Sequence, residues 1–98
     1  MNHLYLQLGR AIAGQCPPGF REATLSATLD DVDVALALAC TSADGSQVRP
    51  DLDAAARAAI QAPLEDIRED MARKEGKAWR RCTVTLVAGG GFAMDVDY

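Results

Sequence analysis

Residues 79–98 read Trp79-Arg80-Arg81-Cys82-Thr83-Val84-Thr85-Leu86-Val87-Ala88-Gly89-Gly90-Gly91-Phe92-Ala93-Met94-Asp95-Val96-Asp97-Tyr98. In an extended chain Cys82, Val84, Leu86 and Ala88 share one face, and Arg81, Thr83, Thr85 and Val87 share the other. Successive side chains leave a strand on opposite sides, so this period of two marks a half-buried strand. Phe92, Met94, Val96 and Tyr98 then alternate with Ala93, Asp95 and Asp97. Between the two runs, Gly89-Gly90-Gly91 supplies residues able to take the positive φ of a tight turn. The spacing predicts a β-hairpin.

The same pattern recurs upstream. Ala23, Leu25, Ala27 and Leu29 alternate with Thr24, Ser26 and Thr28, which predicts a strand over 22–29. Asp30-Asp31 suits a turn. Val32, Val34, Leu36, Leu38 and Cys40 then alternate with Asp33, Ala35, Ala37 and Ala39. The alanines leave helix open as an alternative for this segment, but turn signals on both sides favour a second strand and a hairpin.

Residues 51–75 keep close to helical spacing through Leu52, Ala55, Ala56, Ala59, Ile60, Leu64, Ile67 and Met71. Asp51 fits an N-cap or first-turn acid, and Gly76 a stop. Pro63 lacks an N–H and crowds the preceding turn, which predicts a kink or two helices meeting there. Acids precede bases in the second half, giving Glu69–Arg73 and Asp70–Lys74 pairs. A shorter amphipathic helix over 3–16 places Leu4, Leu8, Ala11 and Ile12 on one stripe before Pro17-Pro18-Gly19 stops it. Leu6 departs from that stripe. Residues 41–50 read as a loop around Asp44-Gly45-Ser46, with room for a short extra strand near 47–49.

The order is therefore α-β-β-α-β-β. One apolar face per strand predicts an α+β fold with an antiparallel β-sheet and both helices packed on one face. The other face is lined by Thr, Ser, Ala and Asp. At 98 residues the chain fits a single domain, 1–98. Aromatics make up 5% of it, so the core relies on Leu, Ile, Val and Ala.

A net charge of −4 opposes binding to phosphate backbones or anionic membranes and suits a basic protein partner. Cys16, Cys40 and Cys82 are odd in number and far apart in sequence. That speaks against a disulfide framework or a zinc knuckle and for buried thiols in a reducing compartment. The N-terminal residues lack a signal-peptide pattern, and no run approaches the ~20 apolar residues of a membrane span. The expected location is cytoplasmic.

Motifs for chemistry are sparse. His3 is the only histidine and sits near the N-terminus, without a visible nucleophile-and-base arrangement. Asp95 and Asp97, or Asp30, Asp31 and Asp33, offer carboxylates to a hard cation, but the calcium-loop pattern is missing. They read instead as solvated positions that also protect a sheet edge. The glycine run is not followed by a helix or by Gly-Lys-[Ser/Thr], so a turn is preferred to a phosphate loop. Glu65, Asp66, Glu69 and Asp70 form an acidic helix surface suited to a basic partner. Trp79 reads as core or edge packing, with an interface anchor as the alternative. The expectation is a protein that is not an enzyme and uses no metal and no cofactor.

The ending Phe92, Asp95, Val96, Asp97 and Tyr98, after Trp79 and a glycine turn, resembles the closing signature of the YezG-like family of bacterial immunity proteins. The specific match covers residues 79–98, and upstream the resemblance is one of layout. It implies an antitoxin that binds and neutralises a cognate secreted polymorphic toxin, often a nuclease, by occlusion. The candidate toxin contacts are Asp30, Asp31, Asp33, Glu65, Asp66, Glu69, Asp70, Asp95 and Asp97. The alternative is a non-catalytic homo-oligomeric or adaptor module, with a homodimer through the second sheet face.

Overall fold

A computed structural model describes residues 3–29 and 34–98. Its elements are α1 (His3–Ala13), β1 (Phe20–Leu29), β2 (Val34–Ser42), β3 (Gln47–Val48), α2 (Ala54–Glu75), β4 (Arg81–Val87) and β5 (Gly91–Asp97). The strands form one antiparallel sheet in the order β3-β2-β1-β4-β5. The α+β architecture is as the sequence predicts.

The order differs by one element. Residues 47–48 form β3 on the outer edge of β2, so the chain runs α-β-β-β-α-β-β rather than α-β-β-α-β-β. A local turn is the cause. The Asp44 carboxylate accepts hydrogen bonds from the Ser46 N–H at 2.9 Å and the Ser46 hydroxyl at 2.6 Å. The Ser42 N–H donates to the Ser46 carbonyl at 2.8 Å, which folds the chain back onto β2. Cys40 then pairs with Val48, and Thr41 with Gln47. Pro50, which cannot donate to a ladder, follows within two residues.

β1 lies at the centre of the sheet. Leu25 stands between Leu38 and Val84, Ala23 between Cys40 and Leu86, and Ala27 between Leu36 and Cys82. Met94 and Val96 continue two of these rows onto β5. The rows share one face and meet Leu8 and Ile12 of α1, Ile60, Leu64 and Ile67 of α2, and Trp79 in a single core. The other face carries Ser26, Ala37, Thr83 and Asp95 in one row and Thr24, Ala39, Thr85 and Ala93 in the next. Its members are exposed or half-buried, because both helices contribute to the opposite side.

Between β4 and β5 the turn falls at residues 88–90. Gly89 and Gly90 take φ values of 100° and 113°, outside the range of an ordinary L-residue, and the Gly90 N–H donates to the Val87 carbonyl at 3.1 Å. Gly91 is already the first residue of β5.

α2 corrects the sequence reading at its N-cap and excludes one of the two alternatives at Pro63. Its N-cap is Asp53, not Asp51: the Asp53 carboxylate accepts the Ala56 N–H at 2.7 Å. And one helix runs through Pro63 where a break into two was an alternative. The proline ring is buried beside Ile60, Leu64 and Ile67. An interior proline costs about 3 kcal/mol in a helix, and two or three buried aliphatic side chains at about 1.5–3 kcal/mol each offset that. Gly76 caps the C-terminus, its N–H donating to the Ala72 carbonyl at 2.8 Å.

Trp79 is fully buried, which removes it as an exposed anchor. The Arg68 Nε–H donates to the Trp79 carbonyl at 2.7 Å, tying α2 to the entry of β4. Replacing Trp79 with Ala is expected to lower the unfolding free energy by about 3–5 kcal/mol in urea titration. Ser26→Ala on the open face is expected to stay within about 0.5 kcal/mol.

Candidate functional site

The acidic side chains occupy separate surfaces. Asp30, Asp31 and Asp33 lie outside the described residues. On α2, Glu65, Asp66 and Glu69 are exposed, and Glu65 accepts a hydrogen bond from the Gln61 amide at 2.8 Å. Asp70 is half-buried and held between Arg73 at 3.4 Å and Lys74 at 3.3 Å. The Asp70–Lys74 pair is the one expected, whereas Arg73 goes to Asp70 one turn back and not to Glu69. Exposed pairs of this kind contribute only about 0.3–0.5 kcal/mol, but they neutralise Asp70 locally. Arg68 turns inward to the Trp79 carbonyl. The middle of the outer α2 surface is thus left to Glu65, Asp66 and Glu69.

Asp95 and Asp97 stand on β5, an edge strand, and on the uncovered face of the sheet. Asp95 is opposite Thr83, and Asp97 is opposite Arg81. Both carboxylates are exposed. The sheet therefore separates the two acidic groups: α2 lies over its apolar face, and the β5 carboxylates project from the other. Inward from Asp95, the row Thr83, Ser26 and Ala37 carries small, exposed side chains.

A groove of about 930 Å³ opens between α1 and the β4–β5 turn. Leu6, Phe20, Leu86, Phe92 and Met94 supply its apolar wall, and Arg10 is the charged residue that lines it. Leu6 and Phe92 are 49% and 37% exposed, and Val87 beside them 41%. Tyr5 meets Phe92 edge-to-face, with ring centroids 5.7 Å apart. Gly9 also lines the groove, where a Cβ would meet Leu86 at 3.8 Å, an ordinary van der Waals contact. Adjoining exposed apolar residues are a common feature of interaction surfaces. The sequence held partial signals for this groove: Leu6 off the apolar stripe, and Gly9 inside a helical run.

The thiols make a pattern that sequence spacing did not reveal. Cys16 and Cys40 are 24 residues apart, yet their Sγ atoms lie 2.7 Å from each other. Cys16 also donates to the Ile12 carbonyl at 3.4 Å. Burial, reinforced by the neighbouring Cys40, pushes the Cys16 thiol up to about 12. Burial alone pushes Cys82 up to about 11.

Among the described residues no group of three or more His, Cys, Asp and Glu side chains is placed to hold a metal ion. Within the same residues no helix is long and apolar enough to cross a membrane. No protein-family model matches the chain, and no curated protein is significantly similar to it.

The raised thiols give stability a pH dependence of definite sign. A thiol whose folded value lies above its ordinary 9.0 holds its proton longer in the folded chain. Its contribution is complete below the ordinary value and disappears as pH rises through the folded one. The urea midpoint is expected to fall between pH 9 and pH 11, and Cys82→Ala is expected to flatten part of that fall. A midpoint with the same slope in both proteins would show that Cys82 ionises freely in the folded state.

Proposed function

We propose that the chain is a protein-binding immunity protein, which neutralises a cognate basic toxin by occluding it. The observation that carries the reading is the display of carboxylates: Glu65, Asp66 and Glu69 exposed on α2, and Asp95 and Asp97 exposed on the uncovered sheet face. Toxins that act on nucleic acid present basic sites to it. An acidic binder meets such a site with complementary potential, which speeds encounter and sets orientation. The resemblance of residues 79–98 to the YezG-like ending supports the same assignment and places Asp95 and Asp97 inside the shared motif. A stable complex would bury about 1,600 Å² in total, more than one carboxylate cluster offers, so neighbouring surface must join the contact. The exposed Thr83, Ser26 and Ala37 row beside Asp95 is adjoining surface of this kind.

A second reading is a homo-oligomeric or adaptor module. The small-residue face of the sheet favours it, since two faces of small side chains can approach closely. It calls for a stable dimer in solution and no affinity for a toxin.

Co-expression with the toxin domain encoded beside this gene separates the two. Cell survival and co-elution are expected. Two variants, Glu65→Lys with Asp66→Lys and Glu69→Lys, and Asp95→Lys with Asp97→Lys, locate the contact. At least one is expected to weaken the complex about tenfold, with an effect that shrinks as salt rises. Unchanged affinity in both would refute the electrostatic basis, and a toxin-free dimer would move the assignment to the second reading.

A further inference from the structure

We propose that Cys16 and Cys40 are a modification site: under oxidising conditions they join in an intramolecular disulfide that staples the exit of α1 to strand β2. The two thiols come from separate elements and meet because of the fold. Cys40 is fully buried on the core face of β2, in register with Ala23 of β1. Cys16 follows the last turn of α1, where the Cys16 N–H donates to the Ala13 carbonyl at 3.1 Å and the thiol donates to the Ile12 carbonyl. These bonds aim its sulfur at Cys40, and the two Sγ atoms lie 2.7 Å apart. Forming the bond requires little backbone movement, the condition that most candidate pairs fail.

Cys82 serves as an internal control. It pairs in register with Ala27, whereas Cys40 pairs with Ala23. Four residues along a strand span about 13 Å, and the two cysteines sit on opposite flanks of β1, so Cys82 is out of bonding reach of Cys40.

The oxidant is a hydroperoxide, and the chemistry balances with hydrogen peroxide itself. Cys16 is the more accessible thiol. Its sulfur attacks one peroxide oxygen, the O–O bond breaks, water leaves, and Cys16 becomes a sulfenic acid. The Cys40 sulfur then attacks the Cys16 sulfur, the S–O bond breaks, and a second water carries away the Cys40 proton. Two thiols lose two electrons and two protons, and one peroxide is reduced to two waters. Because burial raises the Cys16 thiol and keeps it protonated, the first step is slow at neutral pH, and the buried Cys40 side shields the product from exchange. A bond between residues 16 and 40 closes a loop across β1, which restricts the unfolded chain and raises stability. It also fixes the α1 wall of the apolar groove against the sheet.

The test treats the full chain with hydrogen peroxide, unfolds it without reductant, alkylates with iodoacetamide and reads intact mass and peptides. The expected product is a monomer lighter by two hydrogens, with one alkyl group on Cys82 and the Cys16 peptide joined to the Cys40 peptide. Its urea midpoint should rise and return to the starting value with dithiothreitol. Cys16→Ser, at a half-buried position, should abolish both changes. Three alkyl groups on the treated chain, a bond involving Cys82, a disulfide-linked dimer, or sulfinic acid at Cys16 with Cys40 still alkylated would each overturn the proposal.

Discussion

Strand β1 pairs along nearly its whole length with β2 on one side and β4 on the other, and its alternate residues are the apolar ones. Leu25 sits at the crossing point, with Leu38 and Val84 as its neighbours and the helices above. Side chains alternate across a strand, so a slip of one residue in either pairing would send a whole apolar row to the uncovered face. That constraint fixes the rest. α1 and α2 have a surface to pack on only while Ala23, Leu25, Ala27 and Leu29 point one way. The helices bring Leu8, Ile12, Ile60, Leu64 and Ile67, aliphatic residues that fill the space above a sheet whose inward positions are partly alanine. With so few aromatics in the chain, Trp79 supplies the one large ring in the buried core among the described residues.

The two hairpins were legible because each strand turns one side toward the core, mostly buried on β1 and β4 and partly on β5, and that writes a period of two into the sequence. The Ala-rich β2 obeyed the period even though alanine favours helix, since packing against Leu25 and Ala27 outweighs an intrinsic preference of a fraction of a kcal/mol. β3 was only half legible: two residues carry no period, and the signal was the Asp44-Gly45-Ser46 turn that returns the chain. At Pro63 the sequence left a kink and a break both open, because local rules count the lost hydrogen bond and omit the buried ring's contacts within one continuous helix. The Asp51 and Asp53 ambiguity has the same origin, since only the observed Ala56 N–H bond distinguishes two acids two residues apart.

Features made by juxtaposition were not legible. Cys16 and Cys40 are far apart in sequence, and nothing in their spacing reports that α1 ends over β2. The apolar groove likewise joins Leu6 from the first helix to Phe92 from the last strand: Leu6 off its stripe was a partial signal, but nothing in the sequence linked it to Phe92. The candidate carboxylates show the converse. They read as several equivalent acids, but the structure distinguishes them: Asp70 is engaged by two cations, Asp97 faces Arg81 across the ladder, and Asp66, Glu69 and Asp95 stand exposed.

Asp95 and Asp97 also bear on the choice between a heterologous partner and a second copy. β5 is an edge strand, and an edge invites another strand to add to it. In an antiparallel β5–β5 pairing, each chain would bring its own two carboxylates to the same face of the joined sheet, within a few residues of the partner's. Like charges so placed across a ladder are destabilising. The same carboxylates that attract a basic surface therefore oppose self-pairing along this edge. A dimer of this chain would have to use the small-residue face or the groove instead, whereas a basic partner gains from the edge and the face together. That asymmetry favours a heterologous partner, and it follows from the placement of Asp95 and Asp97 on the strand with only one neighbour.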